Sequence, residues 1–201
     1  MAHENVMHTV GGPHQAATVA PNGAAHMRRA LALAERGRGR VSPNPMVGCV
    51  LVAPDGSVVG EGWHAYVGGS HAEVAALDVA GAAARGATAY VTLEPCDHHG
   101  RTGPCTDALL SAGVARVVVA IEDPDARVRG RGIAKLRAAG VEVDVGVLAA
   151  EAEALNEAYL TARRKARPFV LYKTAMSLDG KIAVRSGRSR WITSEAAREH
   201  V

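Results

Sequence analysis

Aromatic side chains are almost absent from this sequence: one Phe, two Trp and four Tyr among 201 residues, or 3%. A protein that binds single strands by stacking successive bases needs more such rings, which argues against that class. A strong charge of one sign is lacking too. Lys plus Arg number 23 against 20 Asp plus Glu, and a net charge of +3 does not imply nucleic acid or an anionic membrane. No apolar run approaches the roughly 20 residues that span a bilayer. The N-terminus has neither the basic start nor the unbroken apolar stretch of a secretory signal. Cysteine is scarce, three in all. An odd number without a signal argues against a disulfide scaffold and suits a reducing cytoplasm, where thiols serve as metal ligands or core residues.

What is present is enough for one α/β domain and a fragment of something else: 48% hydrophobic and 21% charged residues. Residues 1–24 carry one charge, Glu4, and scattered Gly and Pro without periodicity, so a mobile tail is expected there, with His3, His8 and His14 in solvent. Met27, Ala30, Leu31 and Ala34 follow helical spacing, to be stopped by Gly37 and Gly39. Met46 to Ala53, the turn Pro54-Asp55-Gly56 and Ser57 to Trp63 read as a hairpin. Helices are expected at His71 to Ala84, Thr106 to Ser111 (closed by Gly113) and Arg131 to Ala139. Strands are expected at Ala89 to Leu93, Arg116 to Ile121 and Val141 to Val145. This alternation predicts an α/β fold, a three-layer α/β/α sandwich with helices on both faces of a sheet. One long helix is expected from Glu151 to Arg164, ending in the basic run Arg163-Arg164-Lys165, read as a solvated helix end. After Pro168 a strand at Phe169 to Thr174, a turn at Asp179-Gly180 and a helix start near Ser194 are expected, too little to enclose a core.

Three short segments carry the chemistry: His71-Ala72-Glu73, Glu94-Pro95-Cys96 and Pro104-Cys105. One neutral imidazole and two thiolates form a tight zinc set, and three protein ligands leave the fourth tetrahedral position for water. The thiolates offset the metal's charge, so hydroxide formed there stays nucleophilic. The positive end of the helix starting near Thr106 favours the Cys105 thiolate. Glu73, two residues from His71 at a helix start, is placed to move protons without ligating, as in the zinc deaminases. A structural zinc knot would need a fourth ligand, for which His98 and His99 are candidates. Cys49, inside Val47-Gly48-Cys49-Val50-Leu51, reads as a buried small hydrophobe.

Eight residues separate Cys96 from Cys105, not the two of cytidine deaminases and nucleic-acid editors. Residues 87–96, followed by His98, Gly100, Arg101 and Thr102, resemble the deaminase half of the bifunctional deaminase–reductase family of riboflavin biosynthesis. So do Pro43-Asn44-Pro45, Val47-Gly48, and His64 ahead of His71-Ala72-Glu73; the similarity runs from about Met27 to Leu155. The resemblance implies a cytidine-deaminase-like domain over 25–147, a helix and linker over 148–167, and one zinc per chain on His71, Cys96 and Cys105. It implies hydrolytic deamination of 2,5-diamino-6-ribosylaminopyrimidinone 5′-phosphate, with Glu73 catalytic. Asn44 and His64 would then hold substrate near the metal, and His98 and Arg101 would face its ring and ribose phosphate. Asp97 replaces a usual Ser and Gly103 a usual Pro; the added negative charge is expected to weaken binding of a phosphorylated substrate. Lys173 to Gly180 and Ser189 to Ser194 resemble the opening of the family's Rossmann-like reductase domain, truncated here. There Ala175 and Trp191 would touch NADPH and Ser189 the substrate, provided the domain were complete. A phosphorylated pyrimidine is thus the implied small-molecule partner, in the cytoplasm, without nucleic acid or membrane; a homo-oligomer is compatible with this. The competing readings are a deaminase of another base or nucleotide, with Arg101 idle were the substrate a free base, and a zinc-stabilised interaction module without turnover.

Overall fold

The structure, a computed structural model, describes residues 23–98 and 103–199. Most of the expected N-terminal tail, together with His99 and Arg101, therefore lies outside the described residues. The chain divides into two compact units at Arg167 and Pro168.

The first unit is built on a five-stranded sheet of order β2-β1-β3-β4-β5, with β1 Gly48–Val52, β2 Val58–Trp63, β3 Thr88–Val91, β4 Arg116–Val119 and β5 Glu142–Val145. β1 is antiparallel to both β2 and β3, whereas β3, β4 and β5 run parallel. The period-2 side-chain alternation of a strand sorts the core. Cys49, Leu51, Ala89, Val91, Val117, Val119 and Val143 point to one face, where α2 (Ala72–Ala80), α3 (Cys105–Ala112) and α4 (Arg131–Ala138) cover them. Val50, Val52, Tyr90 and Val118 point to the other, under α1 (Gly23–Glu35), α5 (Ala149–Leu155) and α6 (Glu157–Lys165). Every residue of β1 is buried, as a strand with helices on both faces requires. The three-layer sandwich is therefore as expected, and Cys49 is a fully buried core residue.

Three local expectations need correction. Helix α1 begins at Gly23, so the last two residues of the expected tail are helical. A 3-10 turn, Gly81–Ala84, takes over from α2 where an unbroken helix was expected. The long helix from Glu151 to Arg164 is two helices broken at Asn156. At the break the buried Asn156 amide bonds Met46, its Oδ1 accepting Met46 N–H at 2.8 Å and its Nδ2 donating to Met46 O at 2.9 Å. This pins the loop preceding β1, which carries Asn44.

In the second unit, the strand expected at Phe169 to Thr174 is not formed: these residues have no regular secondary structure. The Ser177–Lys181 turn closes through Ser177 N–H to Lys181 O at 2.9 Å, and α7 (Glu195–Glu199) follows Ser194, whose Oγ accepts Ala197 N–H at 3.3 Å. No helix among the described residues is long and apolar enough to cross a membrane.

Candidate active site

The site begins with how closely α2 lies on β2. A Cβ added at Gly60 would meet Ala76 O at 2.3 Å, and one at Gly62 would meet Ala72 O at 2.4 Å, so only glycine permits this approach. His71 sits at the N-cap of α2 with extended backbone, and its carbonyl accepts Ala75 N–H at 3.0 Å. Glu73 lies in the first turn and is 3% exposed. Cys96 lies in the segment between β3 and α3, and Cys105 is the first residue of α3, following Pro104.

These elements bring His71, Cys96 and Cys105 together, with one ligand atom of each within 4.8 Å of the others. His71 Nδ1 lies 3.2 Å from Cys105 Sγ and 3.5 Å from Cys96 Sγ. Tetrahedral zinc with ordinary Zn–N and Zn–S bonds would set such N···S edges at about 3.5 Å, so the donors present fit that ion. Glu73 is outside the ligand group, and neither His98 nor any other described residue supplies a fourth ligand. The Cys96 thiol is drawn down to about 4, first by a hydrogen bond from Cys105 and also by one from the His71 ring. Bonding to Cys96 raises the His71 pKa in return. Cys105 is held up by that same pairing and by burial. Cys105 N–H also reaches Cys96 Sγ, at 3.5 Å. Burial, and then the charge of Cys96, pushes the Glu73 carboxyl up to about 7. That is where a group that must both accept and release a proton at neutral pH is best poised.

A cleft opens over this cluster, with Asn44, His64, Glu73, Cys96 and His98 among its walls. His64 Nδ1 is 3.1 Å from Ser70 O, which can only accept, so Nδ1 carries the proton and Nε2 accepts from Asn44 Nδ2 at 3.2 Å. Burial lowers the His64 pKa and keeps the ring neutral. The pair thereby fixes the Asn44 amide, whose Oδ1 has no partner among the described residues. His98 Nδ1 is buried with no hydrogen-bond partner among the described residues.

The opposite wall was not foreseen from sequence. It consists of Asp123 and Asp125 after β4, with Arg127, and of Tyr159 and Arg163 from α6. Tyr159 donates its hydroxyl to Asp123, at 2.8 Å to Oδ1 and 3.1 Å to Oδ2, and burial raises the pKa of Asp123. Asp125 is held low by hydrogen bonds from Arg127, and Arg163 lies 3.5 Å away. The i, i+4 spacing of Tyr159 and Arg163 was a legible signal, but the basic run that contains Arg163 reads as a solvated end until α6 is seen packed on the loop.

Asp97, expected to burden the site with charge, is matched: Lys135 Nζ reaches its Oδ1 at 2.5 Å and Thr106 Oγ donates to the same atom at 2.9 Å. Gly103 has open space around it. Ser189, Ala175 and Trp191 belong to the second unit, where Ser189 is exposed and the Arg198 guanidinium lies 4.1 Å from the Trp191 ring centroid.

Comparison with known proteins agrees with this geometry. Residues 22–121 match the cytidine and deoxycytidylate deaminase zinc-binding region, and residues 168–201 match the RibD C-terminal domain. The chain is 55% identical over 176 residues to the riboflavin biosynthesis protein RibD of Escherichia coli, covering 88% of this chain and 48% of that protein. The structure of Acinetobacter baumannii RibD superposes with a TM-score of 0.83 at 50% identity, over 88% of this chain and 49% of that one. A Thermotoga maritima structure described as a diaminohydroxyphosphoribosylaminopyrimidine deaminase and 5-amino-6-(5-phosphoribosylamino)uracil reductase gives 0.82 at 48% identity, over 88% and 51%. The chain thus spans about half the length of the relatives it matches.

Proposed function

This chain belongs to the RibD family of riboflavin-biosynthesis proteins, and from that premise we propose that it is a zinc-dependent hydrolytic deaminase of a phosphorylated pyrimidine. The substrate is 2,5-diamino-6-ribosylaminopyrimidinone 5′-phosphate, and the products are ammonia and 5-amino-6-(5-phosphoribosylamino)uracil. The observation that carries this reading is the His71, Cys96 and Cys105 cluster with a buried, non-ligating Glu73 beside it in one cleft.

Zinc held by those three side chains supplies Lewis acidity that makes hydroxide available near neutral pH. Everything else falls to the chain. Glu73 takes one proton from the attacking water and hands it to the ring nitrogen as the oxygen adds at C2. It then carries the remaining hydroxyl proton of the adduct to the amino group, so that the C2 carbonyl forms as ammonia leaves. A carboxyl near 7 can do both. Asn44, oriented by the neutral His64, presents its free Oδ1 to an amino group of the ring. The His98 Nδ1, without a partner among the described residues, suits a ring polar atom, because a buried nitrogen left unpaired is costly until a ligand arrives. Arg101 serves the ribose phosphate as a bidentate cation. Ser189, Ala175 and Trp191 take part in NADPH-dependent reduction only within a complete reductase domain. The setting is the cytoplasm.

The test is ammonia release by the zinc-loaded chain with the phosphorylated diaminopyrimidine as substrate. Stoichiometric zinc without any turnover would favour the interaction module instead and defeat this assignment.

A further inference from the structure

Glu94 is a carboxylate in the interior, 4% exposed, and no step above uses it. Its two oxygens are saturated by four backbone N–H groups. Oε2 accepts from Asp123 at 3.2 Å and Gly130 at 2.9 Å, and Oε1 from Gly132 at 3.1 Å and Ile133 at 3.3 Å. Three of these donors are at or just before the first turn of α4, where amides have no partner within the helix. A carboxylate bonded on both oxygens cannot rotate, so the backbone at position 94 is fixed to α4.

The next residues are held as well. A Cβ on Gly132 would meet Pro95 O at 1.9 Å, so α4 rests directly on the peptide group linking Pro95 to Cys96. Beyond Cys96, Asp97 is tied to Lys135 of α4, and Lys135 also reaches Asp107 of α3 at 2.7 Å. Residues 94, 95 and 97 thus all contact one helix, and the residue between them is the thiol of the ligand cluster. An apolar side chain at 94 would fill the space without the cost of a buried charge, but it would leave the four amides without an acceptor and the loop free to shift.

We propose that α4 is a clamp on the metal-binding loop and that Glu94 is a positioning residue, setting Cys96 through backbone hydrogen bonds and, through the Asp123 amide, the facing wall of the cleft. This rests on the deaminase reading, because it takes Cys96 as a zinc ligand. Groups that orient metal ligands typically change metal affinity by about 10- to 100-fold when replaced.

The experiment compares the zinc-loaded full chain with its Glu94→Gln and Lys135→Met variants. Each is followed by transfer of zinc to a chromophoric chelator, by the thiolate-to-metal absorption of the cobalt(II)-substituted protein, and by circular dichroism for the fold. Glu94→Gln keeps the shape but turns one acceptor into a donor facing amide N–H groups. It should release zinc about 10- to 100-fold faster and shift the cobalt bands, while Lys135→Met moves both in the same direction by less. A folded Glu94→Gln protein with the parent's release rate and cobalt spectrum overturns the clamp. Should Glu94→Gln not fold, Lys135→Met decides, and unchanged release and spectrum there overturn it equally. A parent chain that holds no zinc refutes the deaminase reading first, and the clamp with it.

Discussion

Replacing Glu73 by Gln isolates the proton shuttle from everything else the site does. Glu73 is 3% exposed and outside the ligand group, so the variant should keep its zinc. Burial already favours the uncharged form of this carboxyl, which titrates at about 7. A neutral amide of the same shape therefore adds no desolvation cost, and the fold should survive. What is lost is a group able to accept and return a proton. General acid–base catalysis contributes about 10²- to 10⁴-fold, equivalent to roughly 3–5 kcal/mol of activation free energy at about 1.4 kcal/mol per decade. The assay is ammonia release at saturating phosphorylated diaminopyrimidine, with zinc measured on the same sample. Turnover should fall by at least about 10² at full zinc content and with little change in KM. A Glu73→Gln variant that turns over at close to the parent rate would mean that another group moves the protons, and the role given to Glu73 would be wrong.

A Cys96→Ala/Cys105→Ala double variant should purify without zinc, and elemental analysis showing stoichiometric metal would refute the ligand set. Arg101→Ala should weaken binding of the phosphorylated substrate by about 10- to 100-fold, the value of one charge-assisted hydrogen bond, while its dephosphorylated nucleoside is hardly affected; equal losses would show that Arg101 does not read the phosphate. Asn156→Ala leaves the N–H and C=O of Met46 without their partners, and should lower stability in urea unfolding by about 2–4 kcal/mol; a change within about ±0.5 kcal/mol, the range usual for plain surface substitutions, would mean that water replaces the amide. Asp125 has its pKa depressed by Arg127, so its contribution is present above the unfolded pKa of about 3.9 and disappears as pH falls through the folded value. Asp125→Asn should therefore cost about 1–2 kcal/mol at pH 7, discounted because Arg127 is largely exposed, and the gap to the parent should close in acid; a gap independent of pH would show that the charge is not what matters.

The cluster of His71, Cys96 and Cys105, with Glu73 beside it, was legible because each residue lies in a short motif at an element boundary, where a local pattern of His-x-Glu or Pro-Cys suggests both chemistry and placement. The alternation of helices and strands along the chain likewise indicated a sheet with helices on both faces. It could not determine which strands are neighbours. That β1 sits between β2 and β3 and opposes both is decided by backbone hydrogen bonds between distant segments. The same holds for the unforeseen half of the cleft. Asp123 and Tyr159 are 36 residues apart, and Asn156, between α5 and α6, bonds Met46 across 110. Glu94 shows the division most sharply. The sequence placed it two residues before Cys96, but the four amides that bond its carboxylate come from residues 123–133, and only the folded chain brings them to it.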